Sequence, residues 1–208
     1  MKKLFNLTLI LSIILSVGCG IGKTWYINNV SVYHNIESSK KYKVSFGKDE
    51  DYAKKQEQLF IEQGFIDRIN SIQHKSYERK IGEKLSVHNF VIDDQNPDYV
   101  VVFSYFIDDG QQNTVSKPRW GKTGTYGGYD QYGVAGSSTS SYKEYTRKLR
   151  LIIFDINSND NIFESEVVSS GDSPQLQRVL PKMITAMFDG YPRESGENFK
   201  VTILVREK

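Results

Sequence analysis

Asp155, Asn157, Asn159 and Glu166 put side-chain oxygens at the first, third, fifth and twelfth positions of a calcium-loop pattern, with Ile162 at the eighth. The sixth position is Asp160, where the sharp bend of such a loop demands glycine, and the flanks read as strands where helices are needed. Clustered Asn and Asp are also what a tight hairpin turn uses, so the turn is the preferred reading. Ser38-Ser-Lys-Lys41 and Lys122-Thr-Gly124 match two of the three motifs of an acyl-transferring serine site. No Ser-x-Asn lies between residues 41 and 122, and Lys122 sits in a glycine-rich stretch, so chance accounts for both. Gly121, Gly124, Gly127 and Gly128 lack the preceding strand and following helix of a phosphate cradle. His34, His74 and His88 show no ligand spacing and read as surface or strand histidines. The expectation is a chain with no catalytic, cofactor-binding or metal-binding residues, and no enzyme.

The clearest chemistry belongs to Cys19, the only cysteine, which by itself rules out an internal disulfide or a cysteine-based zinc site. Lys2 and Lys3 open the chain, and Leu4 to Val17 is apolar apart from Asn6, Thr8, Ser12 and Ser16. That run is short for a helix crossing roughly 30 Å of hydrocarbon and reads as a signal peptide over residues 1–18. It ends in Leu15-Ser16-Val17-Gly18-Cys19-Gly20, which resembles the lipobox of bacterial lipoproteins, with Ser16 where leucine is usual. The resemblance implies a diacylglycerol on the Cys19 thiol, cleavage after Gly18, and acylation (palmitate) of the new amino group. Gly20, in place of the Asp that retains enteric lipoproteins in the inner membrane, points to the outer membrane.

The 208 residues carry 27 basic and 25 acidic side chains; losing Lys2 and Lys3 with the leader leaves 25 of each. A balanced chain lacks the basic field that recruits phosphates, so nucleic acid is not an expected partner.

These residues need elements to position them. Val30–His34 and Tyr42–Phe46 read as strands, and apolar positions Leu59, Ile66, Ile69, Ile72, Ile81 and Leu85 give residues 53–87 a helical face, with Gly64 and Gly82 as breakpoints. Asp98–Ile107 is apolar on both faces and suits the middle of a sheet. Leu149–Ile153 and Ile162–Ser169 form a hairpin about the Asn157–Asn161 turn. Leu176, Leu180, Met183 and Met187 stripe a second helix, capped by Asp172 or Ser173 and kinked at Pro181. Phe199–Val205 closes the chain as a strand. The expected fold is a single α+β domain, residues 28–208, with a mainly antiparallel sheet and two helices packed on one face, tethered to lipid through residues 19–27.

Residues 108–142 are poor in aliphatics and rich in Gly, Ser and Tyr, and they read as a long flexible loop. Within it, Trp120, Tyr126, Tyr129 and Tyr132 offer amphipathic rings suited to an envelope protein or to sugar rings of peptidoglycan.

The order from the lipobox through Tyr42-Lys-Val-Ser-Phe46, Asn-Pro-Asp-Tyr-Val-Val-Val at 96–102, the Trp/Gly/Tyr-rich insert and Tyr145–Asp155 to Phe188-Asp-Gly-Tyr-Pro192 resembles the bacterial lipoproteins of domain-of-unknown-function family 4136. Phe163 stands where that family usually has Trp, and Lys148 replaces a usual Gly. The resemblance implies a periplasm-facing domain held to the envelope, without established catalytic residues. The expected function is that of a lipid-anchored, non-catalytic binding or accessory module; the alternatives are an envelope hydrolase and a peptidoglycan-binding protein.

Overall fold

A computed structural model describes residues 23–62, 64–191 and 193–205; the expected signal peptide (1–18) and Cys19 lie outside them. The chain runs β1 (Lys23–His34), β2 (Tyr42–Phe46), α1 (Asp49–Lys54), α2 (Gln56–Leu59), α3 (Phe65–Ile69), α4 (Ile72–Ser86), β3 (Phe90–Ile92), β4 (Tyr99–Ile107), β5 (Gln111–Tyr126), β6 (Tyr129–Asp155), β7 (Asn161–Gly171), α5 (Leu176–Met187) and β8 (Glu197–Val205). The fold is α+β, with eight strands in a mixed, mostly antiparallel sheet ordered β3-β2-β4-β6-β7-β1-β8, and β5 paired to β6. Among the described residues the parallel pairs are β2–β3 and β2–β4, and helices α1–α4 carry the chain back between β2 and β3.

Strand alternation divides the interior in two. Val101 and Phe103 of β4 and Leu149, Leu151 and Ile153 of β6 face a large cluster with Tyr77, Ile81 and Leu85 of α4 and Leu180, Met183, Ile184 and Met187 of α5. Val100, Val102, Ile152 and Phe154, on the opposite pleats, face a smaller cluster with Tyr52, Leu59, Phe65 and Ile69. This corrects the expectation of two helices on one face. Five helices are shared between both faces, and the expected 53–87 helix is four pieces. Gly64 interrupts it at φ 75 and Phe60 does so at φ 53, both left-handed, whereas Gly82 stays within α4. Phe60 keeps that conformation with its exposed ring beneath the Arg150 guanidinium, 5.0 Å from the centroid. Residues forming β4 are buried on both sides, as the doubly apolar sequence requires.

Local chemistry fixes the ends. The Lys48 N–H donates to Asp51 Oδ2 at 2.9 Å, and Ser71 Oγ accepts from the His74 N–H at 3.1 Å, opening α1 and α4. Before α5, Ser173 Oγ accepts from the Gln175 N–H at 3.2 Å, while Pro181 sits within that helix. At Gly47 a Cβ would lie 2.6 Å from Val102 Cγ1, so no side chain fits between β2 and β4 there.

The largest departure from the sequence reading concerns residues 108–142, expected as a flexible loop. Residues Gln111–Tyr126 and Tyr129–Glu144 pair as a continuous antiparallel ribbon. Asp108 makes the junction: its Oδ1 accepts from the N–H groups of Gly110 (3.0 Å) and Thr146 (2.9 Å), turning β4 into β5 without leaving the side of β6. Gly110 is left-handed at φ 75, with the Tyr145 ring where its Cβ would be. The far end closes on Gly127 and Gly128, at φ 60 and 85, the two consecutive left-handed residues of a type I′ turn.

Candidate functional site

The β5–β6 ribbon is an arm. Sixteen residues of β5 at about 3.3 Å each extend it roughly 50 Å beyond its root. Past Tyr145 and Gly171 β6 has lost β7, and past Ile107 β5 takes the place of β4 beside β6 with no strand on its far side, so both outer edges of the ribbon are unpaired among the described residues. Its register places side chains unambiguously. Trp120 opposes Val134 and Lys122 opposes Tyr132 on one face; Tyr126 opposes Tyr129 on the other, after irregularities at Arg119/Trp120 and Lys122/Gly124. Lys122 Nζ lies 2.5 Å from Asp130 Oδ1, which confirms that those two share the face of Trp120. Trp120 is 71% exposed, Tyr126 79%, Tyr129 81% and Tyr132 74%. The four rings expected to meet a partner are all bare; Tyr126 and Tyr129 flank the turn, whereas Tyr132 and Trp120 lie three and six residues back along the ribbon, roughly 10 and 20 Å. Lys117 and Arg119, a few residues behind them, form no ion pair among the described residues.

The other residues with candidate chemistry are spent on structure. Asp155 Oδ1 accepts from the N–H groups of Asn157 (2.8 Å) and Ser158 (3.0 Å), and these bonds hold its carboxyl below the ordinary carboxylate value. Glu166 is a ladder residue of β7 opposite Arg150, so the calcium pattern is a hairpin turn whose carboxylate serves its own backbone. Ser38 lies in the β1–β2 connection and Lys122 on the arm, so the two serine-site motifs are on different elements.

Of the three histidines read as surface or strand groups, His34 ends strand β1 and His88 is half-buried, while His74 departs from that reading. His74 is fully buried, stacked 4.4 Å from Phe103, with Nε2 3.2 Å from Tyr52 Oη, and burial, then Lys75, pushes its pKa down to about 4. His34 and His88 meet Tyr191 at a cavity of about 450 Å³ that Ser38, Asn89, Arg193 and Glu194 also line. His34 Nε2 is 2.6 Å from the Arg193 carbonyl oxygen; a carbonyl only accepts, so Nε2 carries the proton. The His88 ring is 4.4 Å from that of Tyr191; burial, then Lys84, lowers its pKa, and burial pushes the Tyr191 phenol up to about 12. No hydrogen bond joins Ser38 to either imidazole among the described residues. Sequence spacing could not reveal this cluster, since His34 ends β1 while His88 and Tyr191 come from two connections far from it in the chain. Among the described residues no three His, Cys, Asp or Glu side chains gather as a metal site, and no helix is long and apolar enough to cross a membrane.

Fold and site define a class: an α+β domain in which a mixed sheet, packed on both faces, carries a long two-stranded arm tipped with aromatic rings. The chain belongs to the family described as domain of unknown function (DUF4136), whose model matches residues 25–193. No curated protein matches it. Among solved structures it is similar to a PDZ domain protein from Parabacteroides distasonis ATCC 8503, with 11% identity and a TM-score of 0.48. That likeness covers 87% of this chain and 39% of the other, so the chain spans about two fifths of that protein. It is also similar to the PelC dodecamer from Paraburkholderia phytofirmans, with 12% identity, a TM-score of 0.38, and coverage of 76% of this chain and 92% of that one. Likenesses this remote carry no argument about function.

Proposed function

We propose that this protein is a lipid-anchored module of the bacterial cell envelope, fixed through Cys19, facing the periplasm from the outer membrane, and acting by binding as a structural or accessory component. The observation that carries the reading is the arm. A two-stranded ribbon alone in water is marginal, and open strand edges invite association, so a mostly exposed ribbon over Gln111–Glu144 with bare rings toward one end makes sense as a contact device. The leader and the lone cysteine supply the location, and the balanced charge of the mature chain speaks against a nucleic-acid role.

The test is photo-crosslinking in intact cells, with the reactive group at position 129 on the arm and, as control, at exposed position 178 on α5. Adducts confined to the arm support the reading. Adducts at both positions alike, or none at the arm, contradict it. A second reading, glycan binding, draws on the same four rings, since aromatic faces suit sugar rings. It predicts a change in tryptophan fluorescence with murein fragments, and a flat titration at millimolar ligand removes it. Turnover of peptidoglycan or ester substrates that survives a chelator would place the protein among envelope hydrolases instead.

A further inference from the structure

The register connects the tip of the arm to the anchor. Tyr145, at the root of the arm, pairs with Gly171; Ser169, two residues before it, pairs with Ile27 of β1; and Lys23, where β1 starts, pairs with Val205. The arm and the beginning of β1 therefore leave the sheet at the same end. Cys19 is four residues before Lys23, a reach of at most about 14 Å. The arm is roughly 50 Å long. A sheet leashed so closely by this end cannot direct that arm away from the lipid surface without turning its own amino terminus away as well.

We infer that the arm tip docks on the membrane that holds the anchor, with Trp120, Tyr126, Tyr129 and Tyr132 in the headgroup region of the bilayer. The inference rests on the lipid-anchor reading of Cys19. Three further features suit that occupant. Tryptophan and tyrosine are the residues that settle at a membrane interface, with an apolar ring and a polar edge. They occupy both faces of the tip, so an obliquely resting ribbon presents a ring whichever face turns down. Arg119 precedes Trp120 and Lys117 lies two residues further back, both on the face of Tyr126 and Tyr129, so an arm resting along the surface lays them beside lipid phosphates. The arm rests on the bilayer and does not span it: Lys122 and Asp130 sit among the rings on one face and Lys117 and Arg119 on the other, so neither face is an apolar band.

The experiment uses the full chain, purified from membranes and reconstituted into phosphatidylethanolamine/phosphatidylglycerol vesicles. A Trp25→Phe background leaves Trp120 as the only tryptophan. Intact-mass measurement of the same sample reports whether Cys19 carries lipid. The inference expects Trp120 emission to shift to the blue and to be quenched when the vesicles contain brominated acyl chains. It also expects both effects to persist as protein is diluted at constant lipid, and to weaken when Lys117 and Arg119 are replaced by Gln. A lipidated protein whose Trp120 stays red and unquenched overturns the inference and leaves the anchor reading standing. A blue shift lost on dilution overturns it in favour of pairing between copies. If the mass shows no lipid, the anchor reading falls, and titration of the same protein with vesicles decides the arm: quenching upholds docking and its absence overturns it.

Discussion

Acid should loosen this protein through one side chain. His74 is fully buried between Tyr52 of α1, Phe65 of α3 and Phe103 and Tyr105 of β4, and its pKa is held near 4 against an ordinary 6.5. The folded state therefore refuses a proton that the unfolded chain accepts below pH 6.5. Stability is unaffected above that value, falls as pH drops toward 4, and levels off beneath it, for a total loss of about 3 kcal/mol at up to about 1.4 kcal/mol per pH unit. Glu78 works the other way. Burial raises its carboxyl pKa, so the folded form keeps its proton to higher pH and acid returns part of the loss; its Oε1 is also 3.8 Å from His74 Nε2. Lys75 Nζ lies 3.4 Å from Glu78 Oε2. The assay is urea denaturation at intervals from pH 7.5 to 4, comparing the wild type with His74→Phe and with Tyr52→Phe/His74→Phe, the double variant removing the hydroxyl that the first leaves without its imidazole partner. The wild-type midpoint should fall more steeply than that of either variant between pH 6.5 and 4. Parallel curves would refute the argument.

Other consequences follow from single contacts. Gly128→Val places a branched side chain at φ 85, costs about 1–2 kcal/mol locally, and should speed amide exchange along the arm while leaving the midpoint of the body unchanged. Asp108→Ala removes the acceptor of two backbone N–H groups at the root; exchange at Gly110 and Thr146 should accelerate, with a loss of about 1–3 kcal/mol. Phe103→Ala, at a fully buried ring in the large cluster, should lower stability by about 3–5 kcal/mol in the same urea assay. Gly47→Ala should destabilise by about 1–3 kcal/mol, because the added methyl meets Val102 with no room to shift.

The body of the fold was legible where local pattern and tertiary context agree. Tyr42–Phe46 appears with the bounds the pattern gives, β4 is buried on both faces as its doubly apolar run demands, and α5 buries its expected stripe. The 53–87 region read as one helix because apolar spacing survives a break; the left-handed turn at Phe60, a residue with no such preference, is settled by its place under Arg150. The arm was misread for a different reason. Composition says that residues 108–142 cannot bury a core, which is true, but a ribbon needs no core when its backbone pairs with itself. The signal was present in Tyr126-Gly-Gly-Tyr129, two glycines between β-forming residues. The sequence offers the four rings only as candidate contact residues, and their division between two faces of the ribbon follows from register alone. The His34, His88 and Tyr191 cluster had no signature in the sequence, because the end of β1 and two connections distant from it in the chain create it.

The account stands on the fate of the first 18 residues, and the intact mass of the protein extracted from native membranes tests that directly. It predicts a chain that begins at Cys19 and carries a diacylglyceryl group with an acylated amino terminus. A soluble chain that retains Met1 and an unmodified Cys19 would contradict it.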